Sequence, residues 1–356
     1  MNPLSNSEDV ERKILLILRI LKESPDPMGA RLIARRMQDF GVLLSERAVR
    51  YHLRLMDERG LTRLVGRRDG RLITEMGIDE TADARVRDKI GLAISRIESL
   101  AYRTTFNPQT MNGVLPVNVS FFPRSQFDTA LAAMAPAFRR GLAVSDLVAV
   151  ADEGQRLGEV RVPPDRIGFA TVCSIVVNGV LLKSGIPMDS KFGGILQVKN
   201  GQAMRFVELI YYSGSSLDPS EVFILGRMTS VKRVIETGEG KILANFREIP
   251  ALSRGLAEDL LLKLKRAGIR GDLSLGEMSE PVGQTPVDVN KVGIILVGGL
   301  NPVACAHEDG LMTENRAMST VLDFNDLQNF WHLMDQRNIK YDGQDGSSGH
   351  RDDPNI

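Results

Sequence analysis

The chain has 356 residues, with 45 Lys+Arg against 45 Asp+Glu, 43 % hydrophobic and 25 % charged residues. That is too long for one ordinary core and too globular in composition for a disordered or fibrous chain, so about two or three domains are expected. A formal net charge of zero argues, as a whole-chain sum, against a polyanionic partner such as nucleic acid.

The first eighty residues qualify that sum. Val10, Ile14, Ile17, Leu18 and Leu21 recur at helical spacing over Glu8–Leu21. Ser7 stands at the N-cap position, and Glu8, Asp9 and Glu11 suit the first-turn dipole. After Pro25 and Pro27, a second helix reads from Gly29 or Ala30 to Phe40 and stops at Gly41. Ser45 caps a third helix that ends before Gly60, and two strand-like runs follow, Leu61–Val65 and Arg71–Met76, joined by the Gly-Arg-Arg-Asp-Gly turn 66–70. This order predicts a winged helix-turn-helix over residues 8–78. On the third helix Val49, His52, Leu53 and Met56 share one face, which also places His52 in the core, while Arg47, Arg50, Tyr51 and Arg54 share the opposite one. An arginine fork matches a guanine edge or a phosphate, so Ser45, Arg47, Arg50, Tyr51 and Arg54, with Arg67, Arg68 and Arg71 of the wing, are the candidate DNA contacts. Residues 28–71 hold 11 Arg against 5 Asp or Glu, a local charge of +6 that leaves −6 for the rest. Neutrality is therefore an average over a basic head and an acidic remainder, and it excludes nothing about DNA.

Val86, Ile90, Ile94, Ile97 and Ala101 predict a connecting amphipathic helix over 83–103, a dimer seam or a surface docked on the next domain. From 105 to 335 the pattern predicts a mixed α/β (α+β) domain. Its strands read as Val114–Phe122, Ile167–Val177, Phe206–Tyr212, Val222–Leu225, Ile242–Phe246 and Val292–Val297, with helices at Gln126–Arg140 and Leu252–Ala267. Sliding the chain by 125 residues pairs Phe121 with Phe246, Leu131 with Leu256, Ala132 with Ala257, Gly158 with Gly283, Gly168 with Gly293 and Gly185 with Gly310. Two half-modules, about 117–196 and 242–321, are expected from this, with a ligand cleft where they meet. Residues 340–356 are polar and read as a disordered tail, and Trp331 reads as the anchor of the last ordered segment.

Two widely spaced cysteines, Cys173 and Cys305, rule out a disulfide framework and suit a reducing cytoplasm. The N-terminus has no apolar signal core, and the most apolar stretches, Ile167–Leu182 and Val292–His307, fall short of the roughly 20 apolar residues a membrane helix needs. A soluble cytoplasmic protein is expected. His52, His307, His332 and His350 have no metal-ligand spacing, and neither a nucleophile elbow nor a phosphate loop is present, so no enzyme, cofactor or metal is expected. The competing reading is a winged-helix enzyme of the biotin-ligase-repressor type, which would need a Gly-Arg-rich adenylate loop. A third has the wing and arginine face contact protein.

The run Thr171-Val-Cys-Ser-Ile-Val-Val-Asn-Gly-Val-Leu-Leu-Lys-Ser-Gly-Ile-Pro187, with Lys191-Phe-Gly-Gly194, resembles the regulatory domain of the NrpR family of nitrogen-regulatory repressors. The similarity continues through Phe206–Pro219, Met228–Val231, Ile242–Pro250 and Gly298–Ala304, and covers roughly residues 8 to 325. It implies a homodimeric repressor of nitrogen-assimilation genes, released from its operators by 2-oxoglutarate. Some family members carry two regulatory domains, and this chain has room for one. A dicarboxylate effector needs cationic or amide donors at a dry site. The candidates are Ser174, Asn178 and Lys183 in or after the buried strand, the turn Ser213, Gly214, Ser215 and Ser216, and Arg205, Arg247 and Asn301. Cys173 reads as a buried small hydrophobe.

Overall fold

In a computed structural model, which describes residues 3–24, 26–66, 70–83 and 91–339, the apolar stripe of the first helix does what its spacing predicts. Helix α1 (Pro3–Lys22) buries Ile14, Ile17, Leu18 and Leu21 against Ile33 and Met37 of α2 (Ala30–Gln38) and Val49, Leu53 and Met56 of α3 (Glu46–Glu58). The helix begins at Pro3, so Ser7 lies inside it rather than at its cap. Strands β1 (Thr62–Gly66) and β2 (Gly70–Ile73) form an antiparallel ribbon. Met28 adds a rung to it through two 3.0 Å backbone bonds with Arg71. Glycine is required at position 70, where φ is +98° and a Cβ would lie 2.3 Å from the Met28 carbonyl carbon. The ribbon ends before the expected Met76. Thr74 Oγ1 accepts from the Gly77 amide at 3.1 Å and donates to the Gly60 carbonyl, which starts α4 (Glu75–Asp83) instead.

The chain divides into two units, Met1–Ser99 and Leu100–Ile356. Of the expected connecting helix, Val86 and Ile90 lie outside the described residues, and α5 (Leu92–Arg103) forms its second part, with Ile97 and Ala101 buried.

The second unit is built on two five-stranded antiparallel sheets. Its first half runs β3 (Val114–Pro123), α6 (Phe127–Arg139), β4 (Leu147–Ala151), the short hairpin β5–β6 (Arg156–Leu157, Val160–Arg161), β7 (Arg166–Val172), α7 (Ile175–Lys183) and β8 (Asp189–Lys199). An insertion follows, with β9 (Gln202–Tyr211), α8 (Pro219–Leu225) and α9 (Val231–Thr237). The second half repeats the order as β10 (Gly240–Pro250), α10 (Arg254–Arg266), β11 (Asp272–Met278), β12 (Lys291–Val297), α11 (Asn301–Glu308) and β13 (Glu314–Asp323). The chain closes with β14 (Gln328–Asn329) and α12 (Phe330–Gln336).

The sheets are ordered β13-β3-β7-β4-β14 and β11-β12-β10-β8-β9. Each half therefore gives its last strand to the other's sheet: β8 pairs with β10, and β13 with β3. One core joins them, with Leu115, Val117 and Val119 of the first half packed in the same cluster as Val292, Ile294 and Leu296 of the second. At about 25 cal/mol per Å² of apolar surface, this shared burial is what makes the exchange favourable.

Strand register gives the step between halves. Pro123 pairs with Arg166 in one sheet and Pro250 with Lys291 in the other, which matches Asn118 to Asn245 and Pro123 to Pro250 at an offset of 127. From β4 onward the offset is 125, matching Gly158 to Gly283 (φ +58° and +53°) and Gly185 to Gly310 (φ +82° and +79°). A uniform shift of 125 leaves Phe121/Phe246, Leu131/Leu256 and Ala132/Ala257 two residues out of step. The cause is a shorter helix-to-strand connection in the second half, 267–271 against 140–146.

Three further expectations change. The strand read over Ile167–Val177 stops at Val172, and α7 begins three residues later. Val222–Leu225 is helical because Asp218 caps α8, accepting from the Ser220 amide at 2.8 Å, with Pro219 in the first turn. The anchor of the last helix is Phe330, fully buried and stacked on Phe138 at 4.0 Å, while Trp331 is only half-buried. The tail 340–356 lies outside the described residues.

Candidate functional site

Two sets of side chains stand out, one in each unit. In the first unit Ser45 caps α3, its Oγ accepting from the Ala48 amide at 3.2 Å. This fixes the helix so that Val49, His52, Leu53 and Met56 are buried and Arg47, Arg50, Tyr51 and Arg54 are exposed. Arg50 pairs with Glu46, and Arg54 with Glu58 at 3.0 Å. Exposed i,i+4 pairs of this kind are worth roughly 0.3–0.5 kcal/mol, so phosphate or base acceptors can displace them. Arg67 and Arg68 lie outside the described residues. Arg71 is placed differently from the expected phosphate contact. Its Nε donates to Asp57 Oδ2 at 2.7 Å, and Asp57 Oδ1 also accepts from Thr62 Oγ1 at 2.6 Å. Arg71 thus ties the ribbon to α3. Asp57→Ala should lower the stability of this unit by about 1–2 kcal/mol. Hydrogen exchange of the buried α3 amides, compared between native and Asp57→Ala full chains, checks it.

In the second unit a buried cation marks the site. Arg247, on β10, is 1 % exposed, and no carboxylate lies within ion-pair distance of it among the described residues. Its Nη2 donates to Ser174 Oγ at 3.0 Å, its Nη1 lies 3.9 Å from Met188 Sδ, and its Nε has no partner. Burial pulls its pKa below the ordinary arginine value, and Asp218 offsets this only through space. Isolated buried charge is expensive, so this guanidinium is poised for an anion.

The neighbours follow from local structure. Asn245 sits two residues before Arg247 on the same strand face. Its Nδ2 donates to Ser174 Oγ at 3.2 Å, and its Oδ1 accepts from Tyr212 Oη. Ser174 and Asn178 are four residues apart, at the N-cap and in the first turns of α7, and so share a helix face. Asn178 Nδ2 donates to Ser190 Oγ at 3.0 Å while its Oδ1 is unpartnered, and Ser190 is the cross-strand partner of Arg247. Burial raises the Tyr212 phenol, which stays protonated as a donor. The arrangement offers a guanidinium edge, amides, hydroxyls and a helix N-terminus, the equipment for a carboxylate or a similar oxyanion.

Of the residues singled out in the sequence, the structure brings together Ser174, Asn178 and Arg247. The others are elsewhere. Lys183, at the far end of α7, donates to the Tyr102 carbonyl at 2.8 Å. Arg205 lies exposed on β9 against Gln197. Ser213 and Gly214 are exposed in a turn, and Ser215 Oγ closes on Leu217, so with Ser216 none of the four bonds to the cluster. Asn301 pairs both amide atoms with the Leu243 backbone, at 2.8 and 3.0 Å, and fixes β10 rather than facing the cation. Sequence reasoning missed Tyr212, Ser190 and Asn245. For Asn245 a signal existed: it alternates with Arg247 about Phe246, directly after the apolar run Ile242–Ala244.

Burial raises the Cys173 thiol to about 11 and the Cys305 thiol to about 12. Native protein at neutral pH should therefore react with a thiol reagent orders of magnitude more slowly than unfolded protein. Stopped-flow labelling of the two forms checks this.

A winged helix with an exposed arginine face, followed by a mixed α/β body, is the layout of a transcription regulator. Residues 15–81 match the ribonuclease R winged-helix domain, and residues 90–329 match the NrpR regulatory domains 1 and 2. The chain belongs to the NrpR family. It is 42 % identical to the global nitrogen regulator NrpRI of Methanosarcina mazei, over 90 % of this chain and 98 % of that protein. It is 32 % identical to the global nitrogen regulator NrpR of Methanococcus maripaludis over 88 % of this chain, spanning 54 % of that longer relative. The crystal structure of a nitrogen repressor-like protein from Methanococcus jannaschii matches with a TM-score of 0.58 and 29 % identity, over 68 % of this chain and 99 % of that one. The named relatives are regulators rather than enzymes. No described helix is long and apolar enough to cross a membrane.

Proposed function

We propose that this chain is a homodimeric, cytoplasmic repressor of nitrogen-assimilation genes whose hold on operator DNA is relieved by 2-oxoglutarate. The DNA-binding half of the reading is carried by the exposed face of α3, with Arg47, Arg50, Tyr51 and Arg54 outward over a buried apolar face. In a dimer, two such helices enter successive major grooves one helical turn apart. The effector half is carried by Arg247, a buried cation beside the N-terminus of α7 with no carboxylate in ion-pair contact among the described residues. A dicarboxylate supplies the missing negative charge there. Release then follows from population shift: the effector binds more tightly to the dimer geometry whose recognition helices no longer match the half-sites.

The test is a gel-shift titration of the full chain on duplexes selected from random sequence, across a salt series. Binding with a steep negative salt slope and release by millimolar 2-oxoglutarate support the reading. Salt-independent binding would mean that the arginine face meets protein rather than DNA. Unchanged operator affinity at millimolar effector would remove the effector.

A further inference from the structure

The repeated halves allow the cationic cluster to be compared with its own internal counterpart. Ser120 on β3 occupies the place of Arg247, by the offset of 127 that matches Asn118 to Asn245. Arg247 faces Ser190 across the strand pair, and Ser120 faces Asn315 in the same way. At the offset of 125, Ser174 corresponds to Gly299 and Asn178 to Val303; backbone bonds support that match, since Cys173 donates to Pro116 as Gly298 donates to Leu243.

The counterpart has no charge. Ser120 is 1 % exposed with an unpartnered Oγ, and Asn315 Oδ1 is also unpartnered. Nor can the position of Ser174 be rebuilt there. A Cβ at Gly299 would lie 2.6 Å from both the Val172 carbonyl oxygen and Asn118 Nδ2, where the two strand-to-helix turns press together. Neutral orphaned groups of this kind suit water, whereas a dehydrated carboxylate needs a cation or several donors.

We propose that the regulatory domain, despite its repeated halves, holds a single anionic ligand per chain, at Arg247, and that the ligand bridges the halves. This rests on the effector reading above. Ser174, Asn178 and Ser190 come from the first half, Asn245 and Arg247 from the second, and Tyr212 from the insertion between them. An anion on Arg247 therefore contacts both halves at the exchanged strand pair β8–β10, and no equivalent bridge forms at β13–β3.

Calorimetric titration of the full chain with 2-oxoglutarate reads the stoichiometry. The expected result is a single equivalent per chain, unchanged in number and within about twofold in affinity for Ser120→Ala, with a loss of about a hundredfold for Arg247→Met. Arg247→Lys, which keeps a point charge but not the fork, should bind weakly at the same stoichiometry and guards against a folding defect in the first variant. Two equivalents per chain, or a loss of uptake in Ser120→Ala, would overturn the single-site inference and leave the effector reading standing. No uptake by the native chain would overturn both.

Discussion

Arg247→Met is expected to leave the regulatory domain folded, more resistant to heat and blind to its effector. The guanidinium is fully buried with one hydroxyl at 3.0 Å, a distant thioether and an unpartnered Nε. Taking such a charge out of water costs several kcal/mol, which Ser174, Asn245 and their dipoles only partly offset. Methionine keeps the unbranched stem and joins the thioether of Met188 in contact. Replacing poorly compensated buried charge by an apolar group of similar shape typically stabilises by 1–4 kcal/mol, so a gain of about 2 kcal/mol and roughly 5 °C in Tm is expected. Ligand binding should fall by about a hundredfold or more at the same time. Gain of stability with loss of binding is the signature of a group retained for a ligand. A scaffold role for Arg247 predicts the opposite: a lower melting temperature with ligand affinity little changed.

The second large effect belongs to the recognition helix. Reversing charge at Arg47 and Arg50 together should weaken operator binding by at least about a hundredfold, and the melting temperature should stay within about 2 °C of the native value. Both side chains are exposed and neither supports the core, so the fold has little to lose. Each lost base or phosphate contact costs roughly 1–3 kcal/mol, and the new carboxylates repel the backbone as well. The salt slope should also flatten, because fewer counterions are released. Equal affinity of native and reversed chains for operator would remove α3 as the reading head.

The sequence carried the head of this protein well and its body less evenly. Ser45, the apolar stripe of Val49, Leu53 and Met56 and the three arginines opposite are set by local capping and helical period, and the structure reproduces them residue by residue. The site in the body depends on long-range contacts. Helix α7 is buried on every side from Ile175 to Leu181, so it has no polar stripe, and its β-branched residues read as a strand. Ser174 and Asn178 were legible as polar residues in an apolar run, but their shared helix face was not. Strand β8 escaped notice because Phe192 to Leu196 are all buried, which erases alternation, and β13 because it is an edge strand that opens on the polar run Glu314–Arg316. Arg247 was visible as a residue, whereas its burial with an unpartnered Nε is a fact of tertiary packing. Lys183, Arg205 and the Ser213–Ser216 turn drew attention for side-chain chemistry alone, and the fold places them elsewhere.

On the proposed function, the anion on Arg247 and the DNA on α3 compete through two states of one molecule. Such coupling is reciprocal: whatever factor the effector removes from operator affinity, operator must remove from effector affinity. The direct measurement is the 2-oxoglutarate affinity of the full chain, free and saturated with operator duplex, at one salt concentration. Weaker effector binding to the DNA-bound chain is expected, by the same factor that the effector imposes on operator binding, commonly about 5–150-fold. Equal effector affinities for the free and DNA-bound chain would contradict it.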